Sequence, residues 1–189
     1  MQDSSFRDAT AHDPSFIVRS QLLTSNEVAR ALRRMAHEII EHTSDVDHLV
    51  IIGLQTGGVA FAHQLVKDLE AISGQTINSG ELDVAFYRDD LLRKPAPRLA
   101  TTSITHDLTN QVVVLVDDVL FTGRTVRAAL NALTDWGRPR AVQLAVMVDR
   151  GHRELPIRPD VVGKNLPTSF DEAIVATLDG VWIGSRTPS

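Results

Sequence analysis

Uninterrupted apolar runs alternate along this chain with stretches whose apolar residues recur at helical spacing, and the alternation predicts strands and helices in turn. Val112 to Val116 is an unbroken aliphatic run, which suits a central strand buried on both faces of a parallel sheet. Val126 to Leu133 follows with helical spacing. Upstream, Thr24-Ser25-Asn26-Glu27 has the spacing of a capping box, and Val28, Leu32, Met35 and Ile39 then share one helical face through about His42. His48 to Leu54 reads as a buried strand, Val59 to Leu69 as a crossover helix, Leu82 to Arg88 as a second strand and Ala141 to Val148 as another. Strands separated by helices point to a parallel α/β sheet.

The polar stretches complete the outline. Met1 to Ser15 has no period and is expected to be a disordered tail, leaving residues 16–189 as a single domain. Asp89 to Asp107 contains Pro95 and Pro97 and is longer than most connections in a compact domain, so it is either an active-site lid or a surface hairpin. Asp149 to Ser169 is rich in Pro, Gly and charge and is expected to cover the C-terminal edge of the sheet.

Composition narrows the function classes. With 189 residues and 43% hydrophobic content the chain can bury one good core. It has no cysteine, hence no disulfide or thiolate metal site, and no signal peptide or membrane-length apolar run, so a cytoplasmic location with no membrane partner is expected. A net charge of −5 argues against indiscriminate nucleic-acid binding and requires a local basic patch for any RNA partner. The seven histidines form no metal-binding spacing.

The chemistry concentrates after Val116. Asp117 and Asp118 fall at the end of the buried run, and Thr122-Gly123-Arg124-Thr125 leads into a helix whose first N–H groups could surround a phosphate. Adjacent acids need partners when buried, and a ribose cis-diol, with or without hydrated magnesium, supplies them. Solvated acids at a strand end beside a capped helix are the plainer alternative. Gly53-Leu54-Gln55-Thr56-Gly57-Gly58 is a second glycine-rich turn from strand to helix at the same sheet edge.

The stretch from Val112 to Thr125 resembles the phosphoribosyl pyrophosphate (PRPP) motif of the type I phosphoribosyltransferases. Val148-Asp149-Arg150-Gly151-His152-Arg153-Glu154-Leu155-Pro156, Gly163-Lys164-Asn165-Leu166-Pro167-Thr168-Ser169 and Tyr87-Arg88-Asp89-Asp90 narrow the resemblance to the bifunctional pyrimidine operon regulator/uracil phosphoribosyltransferase family. It runs from about Leu22 to about Leu178. The resemblance implies a mostly parallel sheet flanked by helices, with a flexible lid and a small hood. It implies Asp117 and Asp118 on the ribose, Val119, Leu120, Phe121, Thr122, Gly123, Arg124 and Thr125 around the phosphate, and Gln55, Thr56, Gly57 and Gly58 as the pyrophosphate loop. Magnesium would arrive with PRPP rather than on direct side-chain ligands.

The implied reaction joins uracil to PRPP, giving UMP and pyrophosphate, with Arg88 beside the lid as a leaving-group contact. The family's loop usually reads Lys-Thr-Arg-Gly, so Gln55 and Gly57 lack two charge-assisted contacts of about 1.5–3 kcal/mol each. Purine-salvage relatives commonly have Asp where this chain has Phe121, which favours a pyrimidine base. The resemblance also implies regulation through the leader of a pyrimidine-gene messenger RNA, bound by Arg33, Arg34, His37, His152, Arg153, Arg158 and Lys164, and a homodimer or larger assembly. Arg30, Arg34 and His37 do form a stripe at i, i+4 and i+7, although an ordinary solvated helix face has the same look. A nucleotide sensor with little transferase activity and a plain salvage enzyme are the alternatives.

Overall fold

The computed structural model describes residues 15–43, 46–87 and 102–187. Its centre is a five-stranded sheet with order β3-β2-β4-β5-β6, built from β2 (Leu49–Leu54), β3 (Asn78–Leu82), β4 (Val112–Leu120), β5 (Ala141–Asp149) and β6 (Val161–Asn165). Every neighbouring pair is parallel. β1 (Phe16–Thr24), β7 (Ala173–Thr177) and β8 (Gly180–Arg186) form a second, antiparallel sheet with order β1-β8-β7. Helices α1 (Ser25–His42), α2 (Gly58–Ser73) and α3 (Arg124–Leu133) complete the main elements.

The first helix forms as the spacing predicts. Thr24 Oγ1 accepts from the Glu27 N–H while Glu27 Oε2 accepts from the Thr24 N–H at 2.8 Å. Val28, Leu32, Met35, Ala36 and Ile39 are its buried residues. They join α2, one face of the parallel sheet and the inner face of β7 and β8 in the larger core. α3 covers the other face through Val126, Ala129 and Leu133. β4 is thus buried from both sides, with Val112 to Val116 between 0% and 6% exposed.

Two sequence expectations need correction. The second strand is Asn78–Leu82, not Leu82 to Arg88. It is an edge strand, which tolerates a polar sequence, and it stops because Asp83 Oδ1 accepts from the Ala85 N–H at 2.8 Å and starts a single 3-10 turn over Ala85–Tyr87. Asp149 to Ser169 is not solely a covering segment, because β6 lies within it as the opposite edge strand. Local pattern predicts no strand of the second sheet; the resemblance implies only a small hood beside the central sheet. Of the expected lid, residues 89–101 lie outside the described ones; its return limb is tied to the edge of β3 by the Glu81–Ser103 bridge. The expected tail lies outside them as well, apart from Ser15.

Thr24→Ala removes the side-chain half of the capping box, the hydroxyl that accepts from the Glu27 N–H, and leaves the backbone N–H of residue 24 able to donate to Glu27. It should lower stability by about 1 kcal/mol, or roughly 2–4 °C in Tm for a chain of this length, measured by urea and thermal unfolding.

Candidate functional site

The strand order places a crevice between β2 and β4. From β2 the chain moves outward to β3, whereas from β4 it moves the opposite way through β5 to β6, so the order reverses there and ligand sites favour that position. The last β2–β4 pair is Gly53 with Val116, yet β4 goes on pairing with β5 to Leu120 and Asp149. Asp117 and Asp118 sit on this overrun. The loops after β2 and β4 flank it.

Asp117 is 7% exposed. Its Oδ1 accepts from the Asp118 N–H at 3.0 Å, and Asp118 Oδ1 accepts from the Val119 N–H at 2.7 Å. Burial pushes the Asp118 carboxyl up, while the Val119 and Asp118 N–H groups, Asp117 and the charge of Arg186 draw it down. Gly123 then caps α3 with φ of 91°, the left-handed region that favours glycine. The Thr122 carbonyl accepts from the N–H groups of Glu154 at 3.0 Å and Leu155 at 3.3 Å, which fixes the loop to the segment after β5.

Asp117 to Gly123 and Thr125 line a cavity of about 310 Å³, joined by Val126, Arg150, Ala173, Ile174 and Arg186. The carboxylates, the hydroxyls of Thr122 and Thr125 and two guanidinium groups therefore face one space, the donor and acceptor set that a phosphorylated sugar requires. Arg124 does not line it; its guanidinium pairs with Glu154 at 2.5 Å. Gln55, Thr56, Gly57 and Gly58 also lie outside the lining, and the Gln55 amide donates to Glu81 at 2.7 Å. Arg88 lies outside the described residues. Among the described residues no three His, Asp or Glu side chains cluster as a metal cage.

Arg150 and Arg186 were not singled out from the sequence. Arg150 is 6% exposed, donates to Thr168 Oγ1 and the Ser169 carbonyl at 3.0 Å each, and lies 4.1 Å over the Phe121 ring. Burial lowers its pKa from the usual arginine value. Its position in Asp149-Arg150-Gly151, directly after a buried strand, was a usable signal. Arg186 at the end of β8 carried none, because the second sheet that delivers it was missed. Phe121, His152 and Phe170 form an aromatic cluster with centroids 5.6 to 5.9 Å apart beside the cavity.

The basic residues divide into committed and exposed groups. Arg153 donates to the carbonyls of Ile157 and Phe121 at 2.9 and 2.8 Å and pairs with Asp149 at 2.5 Å, so it clamps the loop over the cavity. His152 Nε2 lies 2.6 Å from the Thr168 carbonyl. Arg34 donates to the Val162 and Gly163 carbonyls at 2.8 and 2.7 Å, fastening α1 to β6. Arg30, Arg33, Arg34 and His37 share an open groove on α1, while Arg158 and Lys164 are exposed. The charge of Lys164 reaches Glu27, which puts it near the start of the same helix.

No helix among the described residues is long and apolar enough to cross a membrane.

A family model described as phosphoribosyl transferase domain matches residues 18–179. The Bifunctional protein PyrR of Chloroflexus aurantiacus is 52% identical over 165 residues, covering 85% of this chain and 91% of the relative. That of Streptomyces coelicolor is 54% identical over 172 residues, 87% and 89% of the two chains. That of Bacillus subtilis is 47% identical over 166 residues, 86% and 92%. Among solved structures, a Staphylococcus aureus hypoxanthine phosphoribosyltransferase superposes with a TM-score of 0.68 at 16% identity over 99% of this chain and 98% of that one. The Trypanosoma cruzi enzyme of that name gives 0.69 at 19% identity over 90% and 98%. These structures share the type I phosphoribosyltransferase fold.

The upward shift of Asp118 has a sign. A carboxyl whose folded pKa exceeds its unfolded value, near about 3.9, makes the native state hold more protons, so ionisation costs stability at neutral pH and the cost disappears in acid. Asp118→Asn should therefore melt above wild type at pH 7, with the difference shrinking as the pH falls toward about 4. Calorimetric melts across that range measure it, and a variant less stable than wild type at pH 7 would contradict the assignment.

Proposed function

The chain belongs to the phosphoribosyl transferase domain family and, within it, to the bifunctional PyrR proteins, and from that premise we propose that it transfers the ribose 5-phosphate of PRPP to uracil and regulates pyrimidine genes by binding RNA. The observation that carries the reading is the single cavity shared by Asp117, Asp118 and the Thr122–Thr125 loop. Their chemistry fits a ribose bearing a 5′-phosphate: carboxylates accept from the hydroxyls, while helix N–H groups and threonine hydroxyls donate to the phosphate.

In the transfer, N1 of uracil forms a bond to ribose C1 as the C1–O bond to pyrophosphate breaks, positive charge develops on the sugar, and the N1 proton leaves to the departing pyrophosphate or to water. Asp117 and Asp118 hold the ribose, and their negative charge favours that transition state. Phe121, held under Arg150, offers no carboxylate to a purine ring, which supports a pyrimidine. Two adjacent carboxylates make only part of a six-coordinate oxygen shell, so a magnesium ion would be held mainly by the diphosphate and touch this chain at Asp117 and Asp118. Held there, it would supply positive charge to the leaving diphosphate.

The RNA face we assign to Arg33, Arg34, His37, Arg158 and Lys164. Arg34 and Arg153 are also structural ties, so their removal would confound binding with folding. We expect these surfaces to act in a homo-oligomer in the cytoplasm.

Uracil-dependent pyrophosphate release from PRPP tests the enzyme directly. Gly123→Val forces a β-branched residue to positive φ at the phosphate loop and should weaken UMP binding by about tenfold or more. Unchanged calorimetric affinity in a folded variant would remove the loop from the site.

For the RNA face, Arg33→Ala with His37→Ala should weaken binding to a pyrimidine-gene leader while leaving UMP affinity unchanged. Each lost phosphate contact should flatten the salt slope by roughly 0.7 to 1, read by filter binding at several salt concentrations. Equal affinity for leader and scrambled RNA would leave a transferase with a solvated helix face.

A further inference from the structure

Gly57 and Asp118 meet across the crevice between β2 and β4. A Cβ added to Gly57 would lie 2.2 Å from Oδ2, 2.3 Å from Cγ and 2.8 Å from Oδ1 of Asp118. The carboxylate thus fills the space where any other side chain at position 57 would begin, and the Val119 N–H holds it there at 2.7 Å. The loop is turned away from the cavity on its other side too. Gln55 Nε2 donates to Glu81 Oε2 at 2.7 Å, and Glu81 Oε1 lies 3.4 Å from His63. Two carboxylates, Asp118 and Glu81, therefore contact the Gln55–Gly58 turn directly.

Asp118 belongs to both compartments. It lines the cavity that holds the phosphate loop, whereas none of Gln55 to Gly58 does. Its carboxylate stands between the two. The guanidinium groups that line the cavity, Arg150 and Arg186, come from the loop after β5 and from the second sheet, not from the turn after β2.

We propose that Asp118, seated on Gly57, divides the nucleotide site, so that the cavity accepts a nucleoside 5′-monophosphate as it stands and a 1-diphosphate reaches the turn after β2 only when the carboxylate leaves Gly57. The proposal rests on reading the cavity as a nucleotide site. UMP, confined to the cavity, leaves the contact intact. PRPP must break it, moving the Asp118 carboxylate off Gly57 and away from the Val119 N–H before the diphosphate and its magnesium can reach the turn, and that displacement lowers its affinity by the cost of the rearrangement. The ligand that fits the unmodified arrangement gains by that difference, and specificity is the ratio of the two affinities. The Gly57–Asp118 contact then tunes the protein toward sensing the product nucleotide over the substrate.

Calorimetric titration of the full chain with UMP and with PRPP, both in excess magnesium, tests this. Wild type should bind UMP more tightly than PRPP by about tenfold or more. Gly57→Ala expels the carboxylate and Asp118→Ala deletes it; each should narrow that ratio by about fivefold or more, even where the shared ribose contact weakens both ligands together. If Gly57→Ala does not fold, Asp118→Ala alone decides. Equal wild-type affinities, or a ratio unchanged in the folded variants, overturn the proposal and leave the nucleotide site standing. Absence of both ligands from wild type overturns the site reading, and the proposal with it.

Discussion

The cavity depends on β4 outrunning β2. Val112 to Val116 are almost wholly buried between two helical layers, and at about 1.5–3 kcal/mol per buried aliphatic side chain they contribute on the order of 10 kcal/mol. That burial holds the strand in register far enough to carry Asp117 and Asp118 into a partly desolvated crevice. A carboxyl raised by burial would otherwise be relieved by moving into water. The strand cannot follow, because Asp117, Val119 and Leu120 remain paired with β5.

The second sheet closes what the first leaves open. β7 and β8 pack through Ile174, Ala176, Val181 and Ile183 on the same core as α1 and α2. In that position Ala173 and Ile174 wall the cavity and Arg186 brings a charge to it. Arg150 reaches the segment between the sheets, and Glu172 there is drawn below the usual carboxylate range by the Ser169 N–H, with Arg19 paired to it at 2.5 Å. The cavity wall is thus held by backbone carbonyls as much as by side chains, and Arg150 acts as a brace that also lines the cavity.

What was legible in the sequence follows from how strongly local pattern and burial agree. The capping box, the buried face of α1 and the double burial of β4 could be read because a helix period or an aliphatic run had one interpretation. The turn into α3 could be read because Gly123 and its threonines stand directly after that run. Edge strands were misjudged: Asn78–Leu82 is polar since only one side of it is fully paired, and β6 hides inside a charged segment. Arg186 was invisible because its role comes from a long-range pairing of β1 with β8, which no local window contains. For Arg34 and Arg153 the sequence shows charge and not commitment; three-dimensional packing turns both onto backbone carbonyls.

Sharing a fold with hypoxanthine phosphoribosyltransferases at 16–19% identity does not transfer their choice of base. The strand overrun brings its acids and the start of the glycine-capped helix to one cavity. Base selection must come from what lies beyond Leu120. There Phe121 is covered by Arg150 and edged by His152 and Phe170, with Arg153 donating to its carbonyl. An aromatic side chain fixed from several directions is a rigid apolar surface next to the polar cavity. A smaller ring that stacks and uses backbone groups along its edge suits such a surface better than a purine needing a carboxylate partner, and the next carbonyl, that of Thr122, is held by the Glu154 and Leu155 N–H groups of the same segment. Phe121 and the turn at Thr122 are therefore fastened to one segment, and a change in the segment after β5 acts on both.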